Sequence, residues 1–182
     1  MALLKRLATI MLLLFAAPLL RAAALQEYQV KAVFLFNFTQ FVDWPPATFA
    51  DSSDPIVICV LGEDPFGRYL DDAVRGERVA SRALSVRRIE RAEEAAHCQI
   101  LFISQSESAR LDTILQHARG SRALTVSDAR GFGERGGMVG FVTEDNRVRL
   151  RINLEAARAA GLTISSKLLR VAELVGAARE PH

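Results

Sequence analysis

The stretch IVICVLGEDPFG, residues 56–67, decides the fold. Ile56 to Leu61 is an unbroken apolar run. A strand with one wet face alternates apolar and polar side chains, whereas a strand covered on both faces does not. The run therefore belongs inside a sheet with cover on both sides. Gly62 to Gly67 then reads as a turn, with Asp64 placed to cap the next helix and Pro65 placed at its first position. Tyr69, Leu70, Ala73 and Val74 give that helix its buried stripe, and Gly76 ends it.

The same unit recurs along the chain. Residues 79–89 read as a more polar strand anchored by Val79, Leu84, Val86 and Ile89, and Glu90 to His97 as a short helix. Gln99 to Ser104 (QILFIS) is a second buried strand. Ser104 and Glu107 have capping-box spacing for a helix through Arg119, with Leu111, Ile114, Leu115 and Ala118 inward. Ala123 to Val126 is a third buried strand. Upstream, residues 26–42 have helical apolar spacing with an unusually aromatic face (Phe34, Phe36, Phe38, Phe41), read as core packing or as an exposed strip for a partner. Trp44-Pro45-Pro46 ends that helix.

After Val126 the pattern changes. Met138 to Thr143 and Val148 to Asn153 are two strands joined by a tight turn at Asp145-Asn146. Asn153 caps a short helix that stops at Gly161. Ser165 or Ser166 caps a last helix, with Leu168, Leu169, Ala172 and Val175 inward. Alternating strands and helices followed by a hairpin define the expected fold. It is an α/β single-domain sandwich, with a mainly parallel sheet flanked by helices and a C-terminal antiparallel hairpin.

Residues 1–24 have the three parts of a secretory signal. Lys5 and Arg6 are the positive region, Leu7 to Leu20 the apolar run, and Ala22 to Ala24 the small residues for cleavage. The run is shorter than the ~20 apolar residues of a membrane-spanning helix, so cleavage is favoured over an uncleaved anchor. The expected organisation is a signal peptide over 1–24 and one domain over 25–182, localised to the periplasm. The signal holds three basic and no acidic side chains. Its removal takes the formal net charge from +2 to −1 and leaves no basic field for nucleic acid.

The two cysteines, Cys59 and Cys98, allow one pairing. In an exported protein an even count favours a disulfide over two buried thiols. A loop of about 40 residues closed this way stabilises by about 3–4 kcal/mol. A metal site from Cys59, Cys98 and His97 lacks the paired ligand spacing such sites use.

Three features invite a chemical reading. Gly131-Phe132-Gly133-Glu134-Arg135-Gly136 is a literal GxGxxG, but it runs into Gly137 and a strand. A dinucleotide site needs it to open a helix. Phe132, Gly136 and Gly137 are instead candidates for a binding edge. The turn Asp64-Pro65-Phe66-Gly67 lies at the carboxyl end of a central strand, where open α/β sheets bind ligands, and its N–H groups are candidates for an anion. Arg147, Arg149 and Arg151 form a basic row on one strand face, read as a solvated guard against edge pairing or as a contact for an acidic partner. His97, His117 and His182 have no evident nucleophile and carboxylate beside them, and GxSxG, HExxH and P-loop motifs are absent, so no enzyme, metal or cofactor is expected.

Taken in order, several segments resemble the YfiR-like family of periplasmic repressors. They are Val30 to Phe38 with Phe41-Val42-Asp43-Trp44-Pro45, Val60 to Gly67, Cys98 to Ser104, Ser127-Asp128 through Gly131-Phe132, and Gly136-Gly137-Met138. Ile152 to Arg158 and Ile164 to Leu169 complete the set. The resemblance implies an α/β sandwich, often dimeric, with Cys59 and Cys98 at the positions of a family disulfide. It implies a binding protein that holds an inner-membrane diguanylate cyclase inactive through the cyclase's periplasmic domain, and that an outer-membrane lipoprotein sequesters. A homodimer is the further expected partner. The chain departs from the pattern at Gly140, where many relatives carry Asn, at Arg151, where many are acidic, and in lacking a second cysteine pair. The alternative reading, from the residues, is a small-molecule-binding domain serving a sensor or transport system.

Overall fold

A computed structural model describes residues 24–51 and 53–176. The expected signal segment, apart from Ala24, and His182 lie outside the described residues. The first element is helix α1 (24–41). The chain continues through strands β1 (Val42–Asp43) and β2 (Ile56–Leu61), helix α2 (Arg68–Val74), and strands β3 (Arg78–Val79), β4 (Arg82–Ile89) and β5 (Ile100–Ile103). Helix α3 (Leu111–Ala118) and strands β6 (Leu124–Ser127), β7 (Val139–Glu144) and β8 (Arg147–Asn153) follow. Helix α4 (Leu154–Ala159), strand β9 (Thr163–Ile164), helix α5 (Ser166–Leu169) and strand β10 (Ala172–Val175) end the described chain.

The main sheet has the order β10-β8-β7-β6-β5-β2-β4-β3. Neighbours from β4 through β2, β5 and β6 to β7 are parallel. β8 turns back antiparallel on β7 through positive-φ Asp145 and Asn146, as the hairpin reading required. The alternation of strand and helix thus produces the mainly parallel sandwich that the sequence implies.

All six β2 side chains are buried, and five of them divide between two cores. Ile58 and Val60 point to the face covered by α1, α2, α4 and α5, with Phe38, Phe66, Leu70, Phe102 and Phe141. Val57, Cys59 and Leu61 point to the face covered by α3, with Leu111, Ile114, Leu115 and Phe132. Each large apolar side chain so buried contributes about 1.5–3 kcal/mol, an upper bound given residual burial in the unfolded chain. Cys59 of β2 is bonded to Cys98, just before β5, in this second core, which settles the choice between a disulfide and free thiols. The aromatic face of α1 is mainly core: Phe34 and Phe38 pack on Phe141 with ring centroids 6.0 Å away in each case.

The structure differs from the sequence reading in several elements. Residues 79–89 are two strands, because Ala80 and Ser81 adopt positive φ and fold β3 back on β4. Ala92–His97 and Gln105–Arg110 are 3₁₀ segments, so α3 starts only at Leu111. Ser104 does cap, but its hydroxyl takes Ser106 N–H at 3.4 Å. The Glu107 carboxylate binds Arg110 instead of returning the second bond of a capping box. The last helix ends at Leu169, and Ala172–Val175 becomes strand β10. The free edge of β8 offers it a parallel register, with Glu173 opposite Arg151 and ion-paired to it at 3.0 Å. A two-stranded sheet that the sequence did not announce pairs Val42 with Ile164 and Asp43 with Thr163.

Candidate functional site

The strand order reverses beside β2, with β4 on one side and β5 on the other. Loops leaving the carboxyl ends of β2 and β5 therefore diverge and leave a crevice, the usual ligand position in an open α/β sheet. Here it is a cleft of about 390 Å³ lined by Tyr28, Glu63, Asp64, Pro65, Ser104, Gln105 and Ser106. Gly62 makes the crossing of the two loops feasible. Its φ is +89°, and a Cβ there would fall 2.6 Å from Ser106 Oγ. Ser106 Oγ also accepts the Glu63 N–H at 3.0 Å.

The 62–67 turn is built differently from its sequence reading. The Asp64 carboxylate accepts from the N–H groups of Phe66 (2.8 Å) and Gly67 (3.3 Å). It occupies the two amides that the turn was expected to offer an anion. α2 starts after it, with Gly67 at the cap and no side-chain cap, so Pro65 is not in its first turn. Arg88 of β4 fastens the turn from the side, through Asp64 (2.9 Å), the Gly67 carbonyl (3.0 Å) and both oxygens of Asp71 (2.7 Å each). The Arg88 hydrogen bonds hold the Asp71 carboxyl below the usual carboxylate range. Phe66 is buried, with Tyr28 edge-on at 5.5 Å and Phe102 at 4.7 Å.

The α1 residues over this edge form a polar cluster. Asp128, the first residue after β6, accepts at one carboxylate oxygen from the Tyr28 hydroxyl (2.8 Å) and from Lys31 Nζ (2.6 Å). Lys31 also pairs with Glu27 at 2.6 Å and lies 4.3 Å from the Tyr28 ring centroid. The Lys31 side chain is 3% exposed and that of Asp128 8%. Burial, then the Asp128 charge, pushes the Tyr28 phenol well above its usual value of 10.0. The other Asp128 oxygen is buried with no hydrogen-bond partner among the described residues. Lys31 and Asp128 both stand in family-like segments, yet nothing in the sequence pairs residues 97 positions apart.

The glycine loop, 128–137, leads into β7 and not into a helix. Phe132 is buried in the α3-side core and packs under Gly137, where a Cβ would meet its ring. Gly136 has φ +94°. A Cβ on Gly133 would fall 2.8 Å from Val175 of β10, and the Gly133 carbonyl accepts from the Asn153 amide at 3.0 Å. This loop and the outer faces of β7 and β8 line a separate polar cavity of about 310 Å³, which Arg151 and Glu144 also line. Arg149 and Arg151 share Glu144 (3.4 and 3.3 Å), while Arg147 has no ion pair among the described residues. The three candidate regions are therefore not one site: the turn lines the cleft, the glycine loop and Arg151 share the second cavity, and Arg147 lies apart at the start of β8.

Among the described residues there is no group of three or more metal-ligating side chains, and no helix is long and apolar enough to cross a membrane. His117 has its Nδ1 2.8 Å from the Thr113 carbonyl, a bond within its own helix.

Fold and site together define a small disulfide-linked α/β domain with a polar cleft at the carboxyl edge of a mostly parallel sheet. The chain belongs to the YfiR/HmsC-like family, whose profile matches residues 28–173. That family is periplasmic and is known for regulating diguanylate cyclases. No curated protein matches the sequence. Among solved structures, the chain is similar to a conserved domain protein from Vibrio cholerae O1 biovar El Tor, with TM-score 0.51 and 12% identity over 65% of this chain and 54% of that one. It is also similar to the ABC domain in complex with L-Trp from Streptococcus pneumoniae, with TM-score 0.49 and 12% identity over 66% and 55%. The chain spans about half the length of these structures, and the likeness to the first is one of fold alone.

Proposed function

We propose that this protein is a periplasmic regulator that represses an inner-membrane diguanylate cyclase by binding the cyclase's periplasmic sensor domain. The observation that carries the reading is the family match across residues 28–173. The Cys59–Cys98 disulfide supports an oxidising compartment. The signal-like first 24 residues supply the route there. An outer-membrane lipoprotein that competes for the regulator is the matching release device.

The mechanism is mass action on a two-state sensor. A binder that prefers the inactive conformation shifts the population toward it. Moving that equilibrium from mostly active to mostly inactive takes about a 10⁴-fold preference between the two conformations. Deleting the gene is expected to raise cyclic-di-GMP and biofilm, and crosslinking in intact cells is expected to capture the cyclase. An unchanged cyclic-di-GMP level with no crosslinked cyclase would sink the reading.

The cleft beside Asp64 and Ser106 favours a second reading, a small-molecule-binding domain. Its volume falls within the ~300–1,000 Å³ of ligand pockets. This reading expects a periplasmic metabolite to raise the melting temperature of the purified protein without any protein partner. No shift across a metabolite panel would remove it.

A further inference from the structure

The sheet leaves a gap where β6 stops short of its neighbour. β6 meets β7 at Val126–Val139 and Ser127–Gly140, while β7 runs on to Glu144. From Phe141 onward the β6 side of β7 has no strand along it among the described residues, so alternate backbone carbonyls there face no ladder. The polar cavity of about 310 Å³ occupies this gap, walled by β7 and the glycine loop. Gly140 helps keep it open, since a Cβ there would meet nothing nearer than Arg151, at 3.8 Å.

The wall is short of hydrogen-bond donors. Asp128 lies on it with its side chain 8% exposed, and one carboxylate oxygen has no partner among the described residues. Asp128 and Glu27 share the single ammonium of Lys31, so the buried cluster carries one negative charge in excess. Glu134 is on the wall too, its carboxylate beside Gly131, and has no ion pair among the described residues. Arg151 is already held between Glu144 and Glu173. Arg130 is exposed, and its guanidinium is free to stay in water.

The cavity therefore calls for a positive group that donates and does not accept. An ammonium fits, with three donors and no acceptor. A bare metal ion fits less well, since no three metal-ligating side chains gather among the described residues. The volume is at the low end of the ~300–1,000 Å³ of ligand pockets, so the ligand is small. Two unanswered carboxylates, Asp128 and Glu134, ask for two ammoniums. The Asp128 oxygen is closed to bulk water, so a ligand meets it only as the loop yields, and Gly131 and Gly133 give the loop that freedom.

We propose that this cavity binds a short aliphatic diamine, with one ammonium on the free oxygen of Asp128 and the other on Glu134. The site is separate from the cleft beside Asp64 and Ser106, and the inference depends on neither reading given above.

Calorimetric titration of the secreted protein with putrescine, in an amine-free buffer of low ionic strength, tests this. One-to-one binding is expected with Kd between about 10 μM and 1 mM. Butylamine, with one ammonium, should bind at least ~3-fold more weakly. γ-Aminobutyrate, with a carboxylate in place of the second ammonium, should bind at least ~10-fold more weakly. D128N should weaken putrescine by at least ~10-fold and E134Q by at least ~3-fold. Glu134 is exposed, so E134Q is expected to fold whether or not D128N does. In NMR spectra the putrescine-induced amide shifts should centre on Gly131 and Gly133 and spare Glu63 and Ser106. No binding up to about 10 mM would overturn the proposal. So would γ-aminobutyrate binding as tightly as putrescine, an E134Q with wild-type affinity, or shifts centred on Glu63 and Ser106.

Discussion

Lys31 is a charged side chain in an apolar helix face, and its environment explains why it stays. It is almost fully buried, with Asp128 and Glu27 each 2.6 Å from its ammonium and the Tyr28 ring beneath it. Removing one partner of a buried pair leaves the other charged and desolvated. K31M is therefore expected to cost about 3–5 kcal/mol in urea unfolding, and K31M/D128N to recover part of it. Tyr28 gives a pH signature. Its phenol is raised in the folded state, so the neutral form is favoured there. That contribution is complete below pH 10.0 and is lost as pH rises above it toward the folded value. Melting temperatures measured above pH 10 should fall with pH in the wild type and fall less steeply in Y28F. The cluster was not legible in the sequence. Helical spacing places Lys31 on α1 but says nothing of what α1 meets, and the partner is 97 residues away.

At the scale of elements, what could be read depended on how locally each was determined. β2 and β5 are fully buried strands and announce themselves by unbroken apolar runs, while β6 is as buried but carries Thr125 and Ser127. The hairpin of β7 and β8 follows from its turn residues and alternation. β10 is four residues long, half wet, and exists because β8 has a free edge, so its Leu-Val pattern after a capped helix start passes for more helix. The candidate site divides the same way. The 62–67 turn was visible as a turn at a strand's carboxyl end, but its amides are filled by its own Asp64, which only coordinates reveal. The disulfide was legible from count and compartment. It ties β2 to Cys98, two residues before β5 and 39 positions on. Loop closure of that length predicts that C59A/C98A loses about 4 kcal/mol in denaturant unfolding. The loss should come without a change in far-ultraviolet circular dichroism, since the β2–β5 register does not require the bond.

At the scale of the whole molecule, the parallel sheet places both cores between elements far apart in the chain. α1 packs on Phe141 of β7, and β1 pairs with β9. The family relation and the resemblance between segments were open to sequence because they rest on order along the chain. A chain stopped after Ala160 lacks β9, α5 and β10 together. It is expected to be cut within α1 by a protease at concentrations that leave the full chain intact, as resolved by gel and mass spectrometry.

The hydroxyl of Tyr28 reaching Asp128 joins residues 100 positions apart. A polypeptide is made, and threaded through any pore, from its amino end. The aromatic helix thus waits, with its greasy side uncovered, until about half of the chain has followed. For that interval the uncovered helix is the kind of apolar surface that aggregates unless a holdase shelters it, so co-expressing one is expected to raise the yield of folded protein without changing its melting temperature.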